Sequence, residues 1–135
     1  MAEYQTEHTI DDGIMRTFDT GATRTSAEGK IEYARFFSPA VLRRYAEYLN
    51  EHRAQADGKL RDPDNWKKGI PKQNYMDSMA RHFWEVWEHH TGERPLASKP
   101  LQDAICALMF NCMGYLFEDL REWLLTDIKP NGGLK

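Results

Sequence analysis

Cysteine is scarce in this chain, and the sequence also lacks long apolar runs. Only two cysteines occur among 135 residues. Cys106 and Cys112 fall on one predicted helix, where they point roughly 240° apart and are separated by roughly 9 Å of rise, so they cannot pair with each other. The apolar stretch 105–117 is too short to cross a bilayer. We therefore expect a cytoplasmic protein with no disulfide and no membrane partner.

The charge balance excludes a second class of partner. Lys and Arg total 18, Asp and Glu total 21, and the formal net charge is −3, with the two signs interspersed. A protein that follows a nucleic-acid backbone needs a continuous basic face. We expect no polymeric DNA or RNA partner, whereas a single nucleotide is compatible with this composition.

Several signatures of enzymes and cofactor sites are missing as well. The sequence has no Cys-x-x-Cys, no phosphate-binding P-loop and no Gly-x-Ser-x-Gly. It also has no His-Asp dipeptide, the usual metal-binding signature of one large class of all-α nucleotide hydrolases. The predicted core helices carry no Glu-x-x-His pair, so we expect no ferritin-type di-iron site. What remains is a helical protein with acidic residues on facing helices.

Hydrophobic periodicity predicts an all-α fold, an antiparallel helical bundle of about three long helices with an irregular N-terminal arm. Ser38-Pro39 is typical of a helix N-cap and first turn, and opens a helix to about Arg53. A second helix covers about 72–90, and a third begins at Leu101. We expect residues 1–37 to form the arm packed on the bundle, 38–128 a single domain, and 129–135 a flexible tail.

The last two helices have different predicted faces. The second has an apolar stripe that we expect to face the core, formed by Met76, Met79, Ala80, Phe83, Val86 and Trp87. The third is apolar almost all round between residues 105 and 117, so we expect it to be buried. Its exception is a stripe of small and polar residues, formed by Asp103, Ala107, Asn111, Gly114 and Glu118. This stripe indicates either a polar site inside the bundle or a close helix crossing with one satisfied amide.

The short connection between these helices pairs their residues in two polar layers. One layer is a carboxylate cluster near the loop end, formed by Glu85, Glu88 and Asp103. The other lies deeper and consists of Asp77, Arg81, His82 and Asn111, with Gly114 opposite Asp77 and Ser78. Converging carboxylates suit Mg²⁺ or Mn²⁺, which prefer oxygen ligands.

Each of these residues also has a purely structural interpretation. Glu85 and Glu88 could form a solvated face, Asp77 and Arg81 a helix ion pair, and His82 a hydrogen-bonded part of the core. The other residues with two interpretations are Trp66, which could cover the bundle end or stack on a base, and Arg24 and Lys30, which could tether the arm or hold phosphates.

Short motifs follow one another from about Arg16 to Asp119. They are Phe18-Asp19-Thr20-Gly21-Ala22-Thr23-Arg24, Glu28-Gly29-Lys30, Pro39-Ala40-Val41-Leu42, Asn65-Trp66-x-Lys68-Gly69-Ile70-Pro71, Asp77-Ser78-x-x-Arg81-His82, and Asp103 with Asn111 eight residues later. Their ordered combination resembles the phage dATP/dGTP diphosphohydrolase N-terminal-domain family.

This resemblance implies an oligomeric, all-α nucleotide pyrophosphohydrolase related to the MazG-like group. Such an enzyme uses Mg²⁺ or Mn²⁺ to split a (deoxy)nucleoside triphosphate into monophosphate and pyrophosphate. The MazG-like pattern has Glu-x-x-Glu on one helix and Glu-x-x-Asp on the next. Here Glu85-x-x-Glu88 is followed by Asp103-x-x-Cys106, so one carboxylate is missing, and Glu47 or Glu51 is the candidate to replace it.

The leading hypothesis is metal-dependent hydrolysis of a (deoxy)purine nucleoside triphosphate in a cytoplasm, that of the host if the protein comes from a phage. The expected metal ligands are Asp77, Glu85, Glu88 and Asp103. The expected substrate-binding residues are Arg24, Lys30, Trp66, Lys68 and Arg81, and the expected catalytic residues are His82 and Asn111. The alternative is a non-catalytic nucleotide-binding or protein-interaction helical module of a phage. Aromatic residues in excess of what one bundle can bury predict a homodimer or homotetramer.

Overall fold

The computed structural model describes residues 15–127, and side chains are described as far as residue 124. The chain divides into two compact units, Met1–Leu42 and Arg43–Lys135. The beginning of the predicted arm, residues 1–14, and the predicted tail, residues 129–135, lie outside the described residues. Among the helices that are described, none is long and apolar enough to span a membrane.

The first unit contains a small β-hairpin in the segment predicted to be an irregular arm. Strand β1 (Met15–Thr17) pairs with strand β2 (Thr23–Thr25) in antiparallel register. Gly21 has a φ of +87°, a backbone conformation that side chains disfavour, and it closes the turn between the strands. A one-turn helix, α1 (Tyr33–Phe36), follows. The arm is therefore more regular than its sequence predicts, because a three-residue strand is too short to produce a detectable alternation.

Helix α2 (Pro39–Glu51) begins at the predicted position. The Ser38 hydroxyl accepts a hydrogen bond from the Val41 N–H at 3.4 Å, and Pro39 occupies the first turn, where its missing N–H costs nothing. The helix ends at Glu51 rather than near Arg53. The predicted cap is confirmed.

The second unit is mostly helical. After α2, a loop is closed by an isolated bridge between Ala54 and Leu60. A short 3₁₀ helix, Asn65–Lys68, then leads to helix α3 (Lys72–Thr91), and helix α4 covers Leu101–Asp127. Helix α3 ends where the Gly92 N–H caps the carbonyls of Glu88 and His89. The predicted predominance of helix is confirmed.

The order of contacts between α3 and α4 is that of a helical hairpin. Near the start of α3, Lys72 pairs with Asp119 and Glu122 of α4 at 2.9 Å each. At the other end, His89 Nε2 lies 2.6 Å from the Lys99 carbonyl in the connection. Between these points Gly114 lies against Tyr75, three residues before Ser78 on α3, and its predicted place opposite Asp77 and Ser78 stays a prediction.

One hydrophobic cluster of the second unit joins α2 and α4. Its fully packed members are Tyr45 and Tyr48 of α2 with Cys106 and Ala107 of α4, bordered by Leu49, Met109, Phe110 and Met113. The small and polar stripe of α4 faces inward as predicted, since Ala107 is 3% and Asn111 7% exposed. Small residues on this face let the bulky tyrosines of α2 approach the α4 backbone.

The apolar outer faces of α3 and α4 correct the predicted burial. On α3 the core side carries Tyr75, whereas Phe83 and Trp87 are 57% and 49% exposed. On α4, Ile105 and Leu116 are exposed as well. Of the stripe of α3 expected in the core, Met76, Ala80, Phe83 and Trp87 are exposed, whereas Met79 and Val86 are half-buried. Periodicity locates an apolar face but does not identify what covers it.

Candidate functional site

A cavity of about 510 Å³ lies within the second unit. We call it the main cavity. Its walls come from the end of α2, the loop that follows, the 3₁₀ helix, and the middle of α3 and α4. The side chains that matter for its chemistry are Glu51, Arg53, Arg61, Asp62, Asn65, Trp66, Ser78, His82 and Asn111. A volume of this size is typical of small-molecule sites.

Three residues that the sequence predicts for the site line the main cavity together. They are Trp66, His82 and Asn111, which come from the 3₁₀ helix, α3 and α4. The predicted juxtaposition of His82 and Asn111 across the two helices is consistent with this shared lining. Asn65 and Ser78, which belong to the same sequence motifs as Trp66 and His82, line the cavity too.

Asn111 keeps most of its hydrogen-bonding capacity. Its Nδ2 donates to the Ala107 carbonyl, one helical turn earlier, at 2.8 Å. Among the described side chains and backbone groups, no donor reaches Oδ1, and the second N–H is unused. A buried amide with one donor and one acceptor left over, on the wall of a cavity, can bind a polar ligand.

His82 is held by an acidic neighbour on its own helix. Its Nδ1 lies 3.4 Å from Glu85 Oε2, and the side chain is 19% exposed. A carboxylate at Nδ1 favours the tautomer that carries its proton there, which leaves Nε2 as a hydrogen-bond acceptor. A histidine oriented in this way can accept a proton from water.

Trp66 has a structural role as well as a place on the cavity wall. Its ring packs edge to face against Phe117, with centroids 4.8 Å apart, and against Phe110 at 6.3 Å. The ammonium of Lys67 lies 5.7 Å from the indole. The tryptophan therefore covers the aromatic part of the bundle and presents the rest of its half-buried surface to the cavity.

The four predicted metal ligands are not assembled in the structure. Asp103 binds Arg44 at 2.6 Å, and Glu85 lies 3.7 Å from the Lys99 ammonium. Asp77 accepts a hydrogen bond from Gln73 at 2.8 Å on the exposed side of α3, and Glu88 is half-buried near the end of that helix. Between residues 15 and 124, no three His, Cys, Asp or Glu side chains form a group that could hold a metal ion.

In this arrangement Asp103 and Glu85 each have a basic partner, and the binding of a divalent cation by them stays a prediction. Sequence spacing predicts the convergence of Glu85 and Asp103 but does not reveal that each carboxylate has a basic partner from another segment. Burial raises the pKa of Tyr48, and the negative charges of Asp103 and Glu85 raise this pKa further. Of the two candidates for the missing ligand, Glu51 lines the main cavity, whereas Glu47 is exposed on α2.

The predicted phosphate-binding residues occupy different places. Lys68 lines a smaller polar recess next to the main cavity. Arg81 is exposed and donates to the Ser78 hydroxyl at 2.9 Å. Arg24 and Lys30 belong to the first unit, on β2 and in the following loop, and their contact with phosphates stays a prediction.

Sequence reasoning missed two arginines of the loop after α2. Arg53 donates from Nε to the Arg61 carbonyl at 2.7 Å, and the Arg61 N–H donates to the Arg53 carbonyl at 2.8 Å. These bonds bring Arg61 to the edge of the main cavity. The only local signal is a turn at Asp57-Gly58 with basic residues on both sides, which does not predict where the side chains lie.

Comparison with known proteins leaves one informative result. Neither the curated proteins nor the solved structures include a match to this chain. The family model for dATP/dGTP diphosphohydrolase, N-terminal, matches residues 20–119, which includes every residue of the main cavity. The chain belongs to the dATP/dGTP diphosphohydrolase N-terminal domain family.

Proposed function

We propose that the second unit binds a purine deoxynucleoside triphosphate in the main cavity and hydrolyses it to monophosphate and pyrophosphate. The observation that carries this proposal is the convergence of residues from three separate sequence motifs on one cavity: Asn65 and Trp66, Ser78 and His82, and Asn111. Stability of the bundle alone does not require these polar residues to share a cavity. The family description supplies dATP and dGTP as the substrates to test first.

The walls of the cavity suit the parts of such a substrate. Trp66 and Phe110 provide apolar surface against which a purine ring can pack. The unused Oδ1 and N–H of Asn111 can bind complementary groups of a base or sugar. Arg53 and Arg61 supply positive charge at the rim, where the triphosphate would extend.

His82 is the residue proposed to act on water. Its Nε2 accepts a proton as the water oxygen forms a bond to phosphorus, and the phosphoanhydride bond that releases pyrophosphate breaks. Glu85 keeps the imidazole in the required tautomer and stabilises its positive charge. Positive charge at the cavity rim stabilises the charge that develops on the departing phosphate oxygens.

A requirement for Mg²⁺ or Mn²⁺ remains a prediction of the family resemblance. Glu85 is paired with Lys99, and Asp103 with Arg44. We therefore propose that a divalent ion binds together with the triphosphate, as its counter-ion. The assay is therefore run with Mg²⁺, with Mn²⁺ and with a chelator of divalent ions.

The test is to incubate the full chain with each deoxynucleoside triphosphate and to measure monophosphate and pyrophosphate. We expect His82→Gln to lower turnover by about 10²–10⁴-fold, as for the loss of a general base. His90→Gln is the matched control, because His90 is exposed on the same helix away from the cavity. If no triphosphate is consumed by the unmodified chain under any arm, the proposed hydrolysis is wrong.

Calorimetry with a non-hydrolysable analogue separates the enzyme from the alternative function. Binding of the analogue without turnover of any triphosphate would support a non-catalytic nucleotide-binding module. Binding that is lost in Asn111→Ala and retained in His90→Gln would assign that ligand to the main cavity.

A homodimer or homotetramer forms part of the same proposal. The exposed rings of Phe83, Trp84 and Trp87 form an aromatic surface on α3, and the Trp84 and Trp87 centroids lie 5.2 Å apart. Monomeric proteins rarely expose large contiguous apolar patches, so a second copy of the chain is the proposed cover. Light scattering is expected to report an oligomer that Trp87→Glu weakens, and a monomeric mass for the unmodified chain would contradict this.

A further inference from the structure

A smaller recess of about 330 Å³ adjoins the main cavity. We call it the polar recess. Its lining is Gln55, Leu60, Arg61, Asp62, Asn65 and Lys68, and three of these, Arg61, Asp62 and Asn65, line the main cavity as well. The two spaces therefore share a wall, and a ligand that begins in one can extend into the other.

The backbone of Arg61 is held by two hydrogen bonds, and its guanidinium is unpaired among the described residues. Its N–H and its carbonyl are both bound to Arg53, at 2.8 and 2.7 Å, so the residue cannot shift along the loop. Its guanidinium has no ion-pair or hydrogen-bond partner within the described part of the chain. In contrast, Arg44 binds Asp103 at 2.6 Å, and Lys72 binds Asp119 at 2.9 Å. A guanidinium that protein carboxylates leave free, at the junction of two cavities, is suited to an anion.

Lys68 brings a second positive charge to the same recess. Its Nζ contacts only the Asn65 amide oxygen, at 3.4 Å, among the described groups. Asp62 is the one acidic side chain in the lining, so basic groups exceed acidic groups there. Phosphate oxygens are the ligands that a fork-shaped guanidinium and an ammonium bind together.

We propose that the polar recess is the subsite for the terminal phosphates of the bound nucleotide, with Arg61 and Lys68 as its phosphate-binding residues. This inference rests on the proposed function, because it assigns the nucleoside end of the same ligand to the main cavity. It makes the second unit selective for triphosphates over monophosphates. It also makes inorganic triphosphate a ligand in its own right, competing with the nucleotide.

The test uses calorimetry with inorganic triphosphate, a non-hydrolysable deoxyadenosine triphosphate analogue and deoxyadenosine monophosphate. Arg61→Gln and Lys68→Gln are each expected to weaken binding of both triphosphate ligands by at least about tenfold, the effect of losing a charge-assisted hydrogen bond. Binding of the monophosphate is expected to stay unchanged. Asp62→Asn is expected to strengthen triphosphate binding, because it removes the negative charge from the recess.

Lys59→Gln is the matched control, since it removes one positive charge from the same loop at a residue outside both linings. Thermal unfolding of each variant checks that the loop is intact. If Arg61→Gln and Lys59→Gln bind inorganic triphosphate equally well, the subsite assignment is overturned, whether or not the chain hydrolyses nucleotides. If the chain binds inorganic triphosphate through Arg61 but neither binds nor hydrolyses nucleotides, the polar recess stands and the proposed function fails.

Discussion

Replacement of Gly114 by alanine tests the packing that holds α3 against α4. A Cβ at position 114 would lie 2.6 Å from the Tyr75 hydroxyl oxygen and closer still to two carbons of its ring. Tyr75 is 1% exposed, so other residues surround its ring and must shift if the ring moves. The substitution therefore forces the two helices apart or the ring out of its site.

Two opposing effects decide the size of the change. Alanine favours a helix interior over glycine by about 1 kcal/mol. Overpacking of a tightly packed core costs about 1–3 kcal/mol, and a displacement of an entire ring falls at the upper end. The net expectation is a loss of about 1–2 kcal/mol, which for a domain of this size lowers the unfolding midpoint by about 3–10 °C.

The assay is thermal and urea unfolding of Gly114→Ala in two backgrounds. In the natural sequence we expect destabilisation. In a Tyr75→Leu background the ring is gone, and the same substitution is expected to stabilise by up to about 1 kcal/mol through helix propensity alone. The difference between the two backgrounds measures the contact directly. Equal stabilisation in both backgrounds would refute the reasoning, because it would mean that no ring lies against Gly114.

Three further predictions concern Tyr75, Tyr45 and Arg44. Tyr75→Phe is expected to leave the unfolding midpoint unchanged or to raise it, since the buried hydroxyl has no partner among the described residues; a marked loss in urea unfolding would reveal one. Burial raises the pKa of Tyr45 in the folded protein. The free energy of unfolding is therefore unaffected by this group below the ordinary tyrosine pKa of about 10, and it falls above that pH because the unfolded chain loses the proton first. Unfolding measured across that range is expected to fall less steeply in Tyr45→Phe, and identical pH profiles would contradict this. Arg44→Gln breaks a half-exposed pair with Asp103 and is expected to lower the midpoint slightly, by an amount that molar salt reduces.

The sequence predicts the helices of the second unit well because their signals are local. Ser38 followed by proline indicates the start of α2, and Gly92 indicates the end of α3, since each residue acts on backbone groups within one turn of itself. The inward stripe of α4 follows from the same kind of local regularity. Asn111 and Gly114 fall on one face for any helix of that phase, whatever packs against it.

The faces that meet in the core could not be predicted in the same way. Trp87 and Phe83 form the most apolar side of α3, yet this side is exposed and Tyr75 faces α4. A hydrophobic stripe shows that some surface must be covered, and it does so equally for a contact within the chain and for a contact between chains.

The carboxylates illustrate a further limit of sequence spacing. The negative charges of Asp103 and Glu85 both raise the pKa of Tyr48, and their predicted convergence on one cation stays a prediction. Their partners, Lys99 and Arg44, come from the connection and from α2, and no pattern within either helix reveals them. Whether two nearby carboxylates form a cation site depends on the third and fourth groups that reach them, and those groups are set by tertiary structure.

The small residues of α4 connect the fold to the candidate site. At Gly114 the missing side chain is replaced by the ring of Tyr75, and the helices are in close contact there. About two turns earlier, Ala107 packs with Tyr45 and Tyr48 of α2 rather than with a ring of α3, and it also lines the main cavity together with Tyr48 and His82. Because both positions belong to one stripe of α4, we expect a change in the contact between α3 and α4 at Gly114 to change the width of the main cavity, which His82 and Asn111 line. A change that spreads the helices at Gly114 therefore separates the two residues on which the proposed chemistry depends, even though neither residue is altered.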